Sequence, residues 1–482
     1  MRQKWVVPLC LLILSISIRL PYYFEGVINW DESTFILVAQ SLLNGHLPYT
    51  ELWDIKPPLL SVAYAMFIVL FGKSVIAVRF AGSLCIFLTS WFVYSIAKKL
   101  GDNSVGILAG VLSIITASTL TVDAQATLSE HVAIVPLFAG LTMLILFGTS
   151  PKNLFWGGLL LTVATMIRLN LAYTVVAIGL WLVYMCFRSK AVNLQGIAAY
   201  CLGSFSIIFL TYFPYLITGN SGIWWNSVIL APLSYSSSRV NFDLLLRVGL
   251  AFAIAVGLWK ALKSDRQQEF MLLQVACLGT AISMIQGGEF HKHYFLQIFP
   301  FLALTIALFW RKLPSTALRL IAIACFALAL SSYVPPILDR YYTVGDRSIA
   351  GQPLSDDTVY EISKYFKQHN PENKPIYLMR DHLVYWFNDL KPPSKAVTHP
   401  SNLAKEYLFP YIKGAGLTTE AELAKILAQQ PEFILTRSFM SYVEENPEAN
   451  LLLKETLSDK YELVKKIGCC KLKNISLIYQ LK

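Results

Sequence analysis

The sequence predicts a polytopic α-helical membrane protein followed by a small α/β domain, and three observations predict it. Of 482 residues, 55% are hydrophobic and only 15% charged, more apolar than a soluble core requires. Apolar runs of spanning or nearly spanning length recur from the N-terminus to residue 333. From Val334 the composition turns to a mixed-charge pattern of about 150 residues, an ordinary size for one domain.

The first element, Met1-Arg-Gln-Lys followed by an apolar run to Leu20, has the charge layout of a secretory signal. No small-x-small cleavage site precedes Arg19-Leu20-Pro21, so an uncleaved anchor is expected and the segment after it is exported. Including that first run at 5–21, others at 75–97, 104–122, 131–149, 154–168, 171–187, 195–217, 243–262, 269–287, 294–310 and 315–333 make about 11 transmembrane helices. The run 59–71 is too short for a bilayer that needs about 20 residues, and it sits between Pro57-Pro58 and Gly72, so a juxtamembrane or re-entrant helix is expected.

That choice fixes the parity of the turns. With the N-terminus inside, inward turns carry Lys98-Lys99, Lys152, Arg188 and Lys190, Lys260 with Lys263 and Arg266, and Arg311-Lys312, as the positive-inside bias demands. Outward turns carry Asp31, Glu32, Asp54, Asp123, Glu130, Arg168, Arg239, Glu289, His291 and His293. The expected organisation is a transmembrane domain at 1–334, with a first outer loop at 22–74, and a soluble α/β domain at 335–482. Both the candidate site and the second domain are placed outside the cytoplasm of a multi-pass cell (inner) membrane protein.

Within 335–482, residues 356–369 read as an amphipathic helix, 375–379 as a strand, 419–429 as a helix and 432–436 as a strand, before a terminal strand pair at 461–467 and 475–481. Alternating helix and strand favour a small layered domain. It has no glycine-rich phosphate loop and receives no catalytic role.

The net charge of +10 does not point to nucleic acid. Residues 1–334 hold 21 Lys and Arg against 12 Asp and Glu, and residues 335–482 hold 19 against 18, so the excess belongs to the membrane part. The eight cysteines form neither a disulfide framework nor a metal-ligand spacing.

Chemistry-bearing residues collect in the first outer loop. Asp31-Glu32 follows Asn29, which caps a short helix with Glu32 placed to return the bond, while Asp31 is left as a general base whose pKa rises at a desolvating membrane edge. Asp54-Ile-Lys56 offers an anion and a cation before two stiffening prolines; Lys56 suits a lipid phosphate, and a local ion pair is the competing reading. Asp123, Glu130 and His131 flank another outward turn and supply oxygen and nitrogen donors for a divalent cation, or simply a polar turn. Arg168-Leu-Asn170 interrupts an apolar run, and an arginine at that depth is costly enough to suggest function, as more weakly is Arg79. Glu289, His291, Lys292 and His293 sit at a further outward edge, as a cationic site for a phosphate or as an interfacial belt with Tyr294.

Together, Trp30-Asp31-Glu32, Ala39 to Gly45, Pro48-Tyr49, Trp53-Asp54-Ile-Lys56-Pro57-Pro58, Phe71-Gly72 with Arg79, Asp123, Arg168-Leu-Asn170 and His293-Tyr294 resemble the GT-C glycosyltransferases of the protein O-mannosyltransferase and lipid A aminoarabinose transferase branch. The resemblance covers most of residues 1–310. It implies transfer of a sugar from a polyprenyl-phosphate donor to a lipid, glycan or protein acceptor, with inversion, no required cofactor and an optional divalent cation. It makes Asp31, with Glu32 beside it, the catalytic pair. Lys56, Arg79, Arg168, Lys292 and His293 become donor-phosphate residues, and Asp54, Asp123, Glu130, His131 and Glu289 auxiliary acids or metal ligands. Here Ile55 separates Asp54 from Lys56, where the aminoarabinose transferase has acid and lysine adjacent, so a ligand role does not carry directly onto Asp54. A transporter or flippase of a lipid-linked saccharide is the rival class; it predicts mid-membrane charges and internal repeats, neither of which the sequence displays.

Overall fold

A computed structural model describes residues 5–190, 192–235, 249, 253–254, 256–257, 266–286, 292–310, 312–313, 315–355, 357–437, 442–468 and 475–482. The chain packs as two compact units. One comprises residues 1–23, 71–213 and 236–349, the other residues 24–70, 214–235 and 350–482.

The first unit is helical. Every predicted apolar run falls on a helix except 243–262, most of which lies outside the described residues. Among the described residues five helices are long and apolar enough to cross a bilayer: Val6–Phe24, Val75–Leu100, Ser129–Phe147, Leu169–Arg188 and Leu194–Ile217. Their ends are set by local chemistry. Ser74 caps Val75–Leu100, Asp102 caps Asn103–Thr119 through the Ser104 and Val105 amides, and Ser150 caps Pro151–Ile167, which starts on a proline that needs no amide partner. Lys98 and Lys99 close one helix and Arg188 another, where cations meet the negative end of the helix dipole.

Small residues let these helices approach. A Cβ at Gly158 would strike the Tyr200 carbonyl and one at Gly203 the Phe155 carbonyl, so Pro151–Ile167 and Leu194–Ile217 meet backbone to backbone. Elsewhere Leu11, Ile86, Tyr94, Ile114 and Ala117 form a core that joins the first helix to the next hairpin. The outer faces keep large apolar side chains exposed, Phe187 at 79% and Leu180 at 66%, as helices solvated by lipid do. A 16-residue amphipathic helix at Val334–Ile349, not among the predicted elements, closes this unit and buries none of its residues.

In the second unit the helix Trp30–Leu43 and the helix Pro58–Phe71 come from the first loop. The latter has 14 residues, about 21 Å of helix, which is short of a hydrocarbon core of about 30 Å. The predicted strands of the C-terminal segment form one sheet: β1 Ile376–Leu378, β2 Phe433–Arg437, β3 Tyr461–Ile467 and β4 Ser476–Leu481, in the order β1-β2-β4-β3. β1 and β2 run parallel, aligned Leu378 to Leu435, and the other pairs are antiparallel. The edge strand β3 exposes Lys465 and Lys466, charges that discourage edge-to-edge pairing. Helices Thr358–His369 and Thr419–Ala428 match the predicted ones, and Pro447–Lys460 adds another.

Candidate active site

In the second unit Asn29 accepts the Asp31 amide at 2.9 Å and starts the Trp30–Leu43 helix, which puts Asp31 in its first turn. A helix N-terminus favours a carboxylate there. Asp31 Oδ1 lies 3.4 Å from His399 Nε2. The His399 Nδ1 accepts the Ser401 amide, so the neutral ring carries its proton on Nε2, the nitrogen that faces Asp31. Burial pushes the His399 pKa down to about 4, against the pull of Asp31, so the ring is neutral at physiological pH. The contact therefore sets a neutral N–H beside the carboxylate rather than a full positive charge.

Around this pair the aromatic residues converge. Trp30 packs edge-on against His399 at 6.1 Å and Tyr442 at 5.9 Å, and the Arg380 guanidinium lies 4.4 Å above the Trp30 ring. The neighbouring Arg437 pairs with Asp381 at 3.3 Å, whereas Arg380 has no carboxylate within ion-pair range among the described residues. Arg380 stands just beyond the carboxyl end of β1 and Arg437 is the last residue of the parallel strand β2, the edge at which open α/β sheets commonly bind ligands.

Asp54 belongs to the same unit. Its side chain accepts the Ile55 amide at 2.7 Å. Burial raises its pKa to about 6, helped by the Asp31 charge and opposed by Lys56. The segment is held by its backbone: Tyr49 adopts φ 70° and donates its hydroxyl to the Lys56 carbonyl at 2.7 Å, and Trp53, 1% exposed, donates its indole N–H to Ser227 at 3.0 Å. Glu32 is buried at 2%, facing the interior of this unit rather than a solvent-open pocket.

The first unit gathers a second constellation. Arg168 sits where the Pro151–Ile167 helix breaks, with extended φ −144°, and its guanidinium reaches Glu130 at 2.9 Å and Ser129 at 2.8 Å. His293 lies 3.8 Å from both Asp123 and Glu130, and Tyr294 places its ring 4.6 Å from Arg168. Arg19 fixes the turn that bears Asp123: fully buried, it donates to the carbonyls of Ala124, Gln125 and Ala126. The structure thus brings Asp123, Glu130, Arg168 and His293 together, at helix ends opposite the hairpin turns that carry Lys98, Lys99, Lys152 and Arg188.

Other expected residues take different roles. Both ring nitrogens of His131 face backbone groups, the Leu128 amide and the Ala117 carbonyl, so it is a helix cap with no lone pair left for a metal. Arg79, 0% exposed, donates to the Tyr22 carbonyl at 2.6 Å and secures a turn. Lys292 is exposed beside His293. Glu289 and His291 lie outside the described residues, and among those described no three His, Cys, Asp or Glu side chains are placed to hold a metal ion.

This frame is that of known enzymes. ArnT from Cupriavidus metallidurans, crystallised bound to undecaprenyl phosphate, superposes with a TM-score of 0.63 over 99% of this chain and 98% of that one, at 13% identity. The chain has the GT-C fold. The archaeal oligosaccharyltransferase AglB from Archaeoglobus fulgidus, in complex with an inhibitory peptide and a dolichol-phosphate, gives 0.56 over 99% of this chain and 74% of that one, at 10% identity. The apo oligosaccharyltransferase of the same organism gives 0.55 over 91% and 70%, at 11% identity. The sequence profile described as dolichyl-phosphate-mannose-protein mannosyltransferase matches residues 55–217. No curated protein sequence matches the chain.

Within this GT-C frame, sequence reasoning missed His399 and Arg380. Both lie in the C-terminal segment, which shows no phosphate motif, and nothing in local spacing links either to Asp31.

Proposed function

We propose that this protein is an integral-membrane glycosyltransferase that moves a sugar from a polyprenyl-phosphate-linked donor to a hydroxyl of a lipid, glycan or protein acceptor outside the cytoplasm, with inversion. The observation that carries the reading is the Asp31 carboxylate, seated at a helix N-terminus and oriented by a neutral His399. Asp31 takes the acceptor hydroxyl's proton as that oxygen attacks the anomeric carbon. The bond from that carbon to the phosphate oxygen breaks, and its electron pair leaves on the lipid phosphate.

Lys56 is assigned to the leaving phosphate, since a compact ammonium offsets charge as it develops. Arg168, Lys292 and His293 are assigned to donor-phosphate recognition in the membrane unit; Arg79, buried on the Tyr22 carbonyl, is left out of that set. Asp54, Asp123 and Glu130 act as auxiliary acids that hold these cations in place. The basic hairpin turns at Lys98, Lys152 and Arg188 support a cytoplasmic assignment for that end of the helices, in the inner membrane, and an outer one for Asp31 and the C-terminal domain at 335–482.

The test is purified protein mixed with a panel of polyprenyl-phosphate sugars, scored by release of the free lipid phosphate in the presence of a membrane extract. At least one donor is cleaved by the parent protein, and Asp31→Asn lowers that rate by about 100-fold or more. Unchanged turnover in Asp31→Asn removes Asp31 as the base, and cleavage of none of the donors removes the enzyme reading.

A further inference from the structure

Wholly inside the second unit, along the C-terminal half of the Trp30–Leu43 helix, lies a cleft of about 440 Å³, a volume in the range of small-molecule sites. One wall comes from the Trp30–Leu43 helix and Glu51, the other from the C-terminal segment, including Lys391, Lys395, Lys413 and Lys425. The acids and the cations of this lining are treated differently by the fold.

The two glutamates are already satisfied. Glu51 accepts from Ser41 Oγ at 2.6 Å and Lys391 Nζ at 2.7 Å, with His46 Nε2 3.3 Å away. Glu422, 2% exposed, accepts the Gly416 amide at 2.5 Å and the Ser394 hydroxyl. Of the lysines only Lys391 is spent in this way. Lys395, Lys413 and Lys425 have no carboxylate in ion-pair range among the described residues, and Lys425 reaches no more than the Gly414 carbonyl at 3.4 Å. Lys395 is half-buried, and burial together with the nearby Lys413 charge lowers its pKa. Asp389 at the rim is the remaining acid of the lining. A concave surface with like charges converging and their natural counter-ions used elsewhere concentrates anions.

We infer that this cleft seats the head group of the acceptor, and that this head group is an anionic saccharide bearing phosphate or carboxylate, gripped by Lys395 and Lys413 with Lys425 at the edge. Gln40 is spent on the Asn44 oxygen and the Trp386 indole, and the Gln429 nitrogen on the Pro393 carbonyl, which leaves the Asn44 nitrogen and the Gln429 oxygen in the same lining to meet sugar hydroxyls. The word acceptor rests on the glycosyl-transfer reading; the binding site itself does not.

Calorimetry on the full-length protein in nanodiscs, at low salt, tests it with four probes: trehalose 6-phosphate, digalacturonate, trehalose and inorganic phosphate. At least one of the two anionic sugars binds about tenfold or more tighter than trehalose and than inorganic phosphate, and which one it is separates a phosphate from a carboxylate ligand. Lys395→Ala and Lys413→Ala each weaken that binding by about tenfold, since a hydrogen bond to a charged group is lost, while Lys413→Arg keeps most of it. Both side chains are at least partly exposed, and melting curves on the same samples verify folding. Trehalose binding as tightly as the anionic sugars, inorganic phosphate binding as tightly as trehalose 6-phosphate, no binding of any sugar, or unchanged binding in the double alanine variant each overturns the proposal. Donor cleavage measured in parallel keeps the two readings apart: anionic-sugar binding without any cleavage sinks the transferase and leaves the site, and cleavage without such binding does the reverse.

Discussion

Asp54→Asn isolates the largest charge cost near the candidate base. In the folded protein the Asp54 pKa rises from 3.8 to about 6, mainly through burial. A shift of roughly two units corresponds to up to about 3 kcal/mol, which the folded state loses by holding the carboxylate ionised. The sign follows from proton binding. Because the folded pKa lies above the unfolded one, the folded state binds the extra proton between about 4 and 6, so this cost is full above 6 and disappears as pH falls toward 4. His399 works in the opposite direction: its pKa is lowered from 6.5 to about 4, so acid destabilises the fold through it over nearly the same window. The two slopes oppose each other in the parent protein, and only a variant separates them. Asp54→Asn raises the apparent melting temperature in detergent by a few degrees at pH 8, and the gain shrinks toward zero near pH 4. Lys56→Met, which removes the cation opposing the shift, lowers stability at pH 8 and not near pH 4. A gain in Asp54→Asn that is equal at both pH values, or a loss at pH 8, refutes the charge-burial account.

Two further outcomes follow from the geometry. Arg168→Met removes the nearest cation from Glu130, 1% exposed, and Glu130→Gln removes the carboxylate from Arg168, so each single variant costs a few kcal/mol, about 3–5 at most, while the double variant costs clearly less than their sum; thermal half-lives in detergent read this, and additive losses exclude a direct pair. His399→Leu lowers donor turnover about 10- to 100-fold with little change in KM, whereas His399→Gln, which retains an N–H donor, recovers most of the rate; equal losses in both variants exclude orientation of Asp31 by hydrogen bonding.

Periodicity and charge made the membrane helices legible, because a span must be apolar over its whole length and its ends must sort their charges. The same sorting foretold that Asp123, Glu130, Arg168 and His293 share one end of the helices, and the structure joins them by contacts of 2.9 to 3.8 Å. Roles within that group were less legible: His131 looked like a donor to a metal and is a cap, because both its nitrogens find backbone partners that no spacing rule reveals. The helix Val334–Ile349 is amphipathic, yet it falls where the composition changes and opens on Pro335-Pro336, a pair that marks a boundary more often than a helix start. Arg19, given no role by the sequence, is the buried staple of the Asp123 turn, a function set by carbonyls more than 100 residues away.

The deepest gap between sequence and structure concerns the C-terminal segment, which carried no motif and was given no part in catalysis. The first loop has too little regular structure to satisfy its own polar groups, and a buried loop must find partners for them. It finds them in that segment. The Trp53 amide donates to the Lys395 carbonyl at 3.0 Å, the Trp53 carbonyl accepts the Thr398 hydroxyl at 2.6 Å, and the Thr34 hydroxyl donates to the Thr398 carbonyl at 2.8 Å. Asp357 accepts the Gly26 and Val27 amides at the start of the loop, and Trp386 donates to Gln40 on its helix. Residues 394 to 399 therefore form a strap whose backbone holds the loop by Trp53 and Thr34 and whose last side chain, His399, reaches Asp31. Asp31 thus owes its position to the same segment that closes the cleft, and if Asp31 is the base proposed above, the domain without a phosphate motif is the one that sets its geometry.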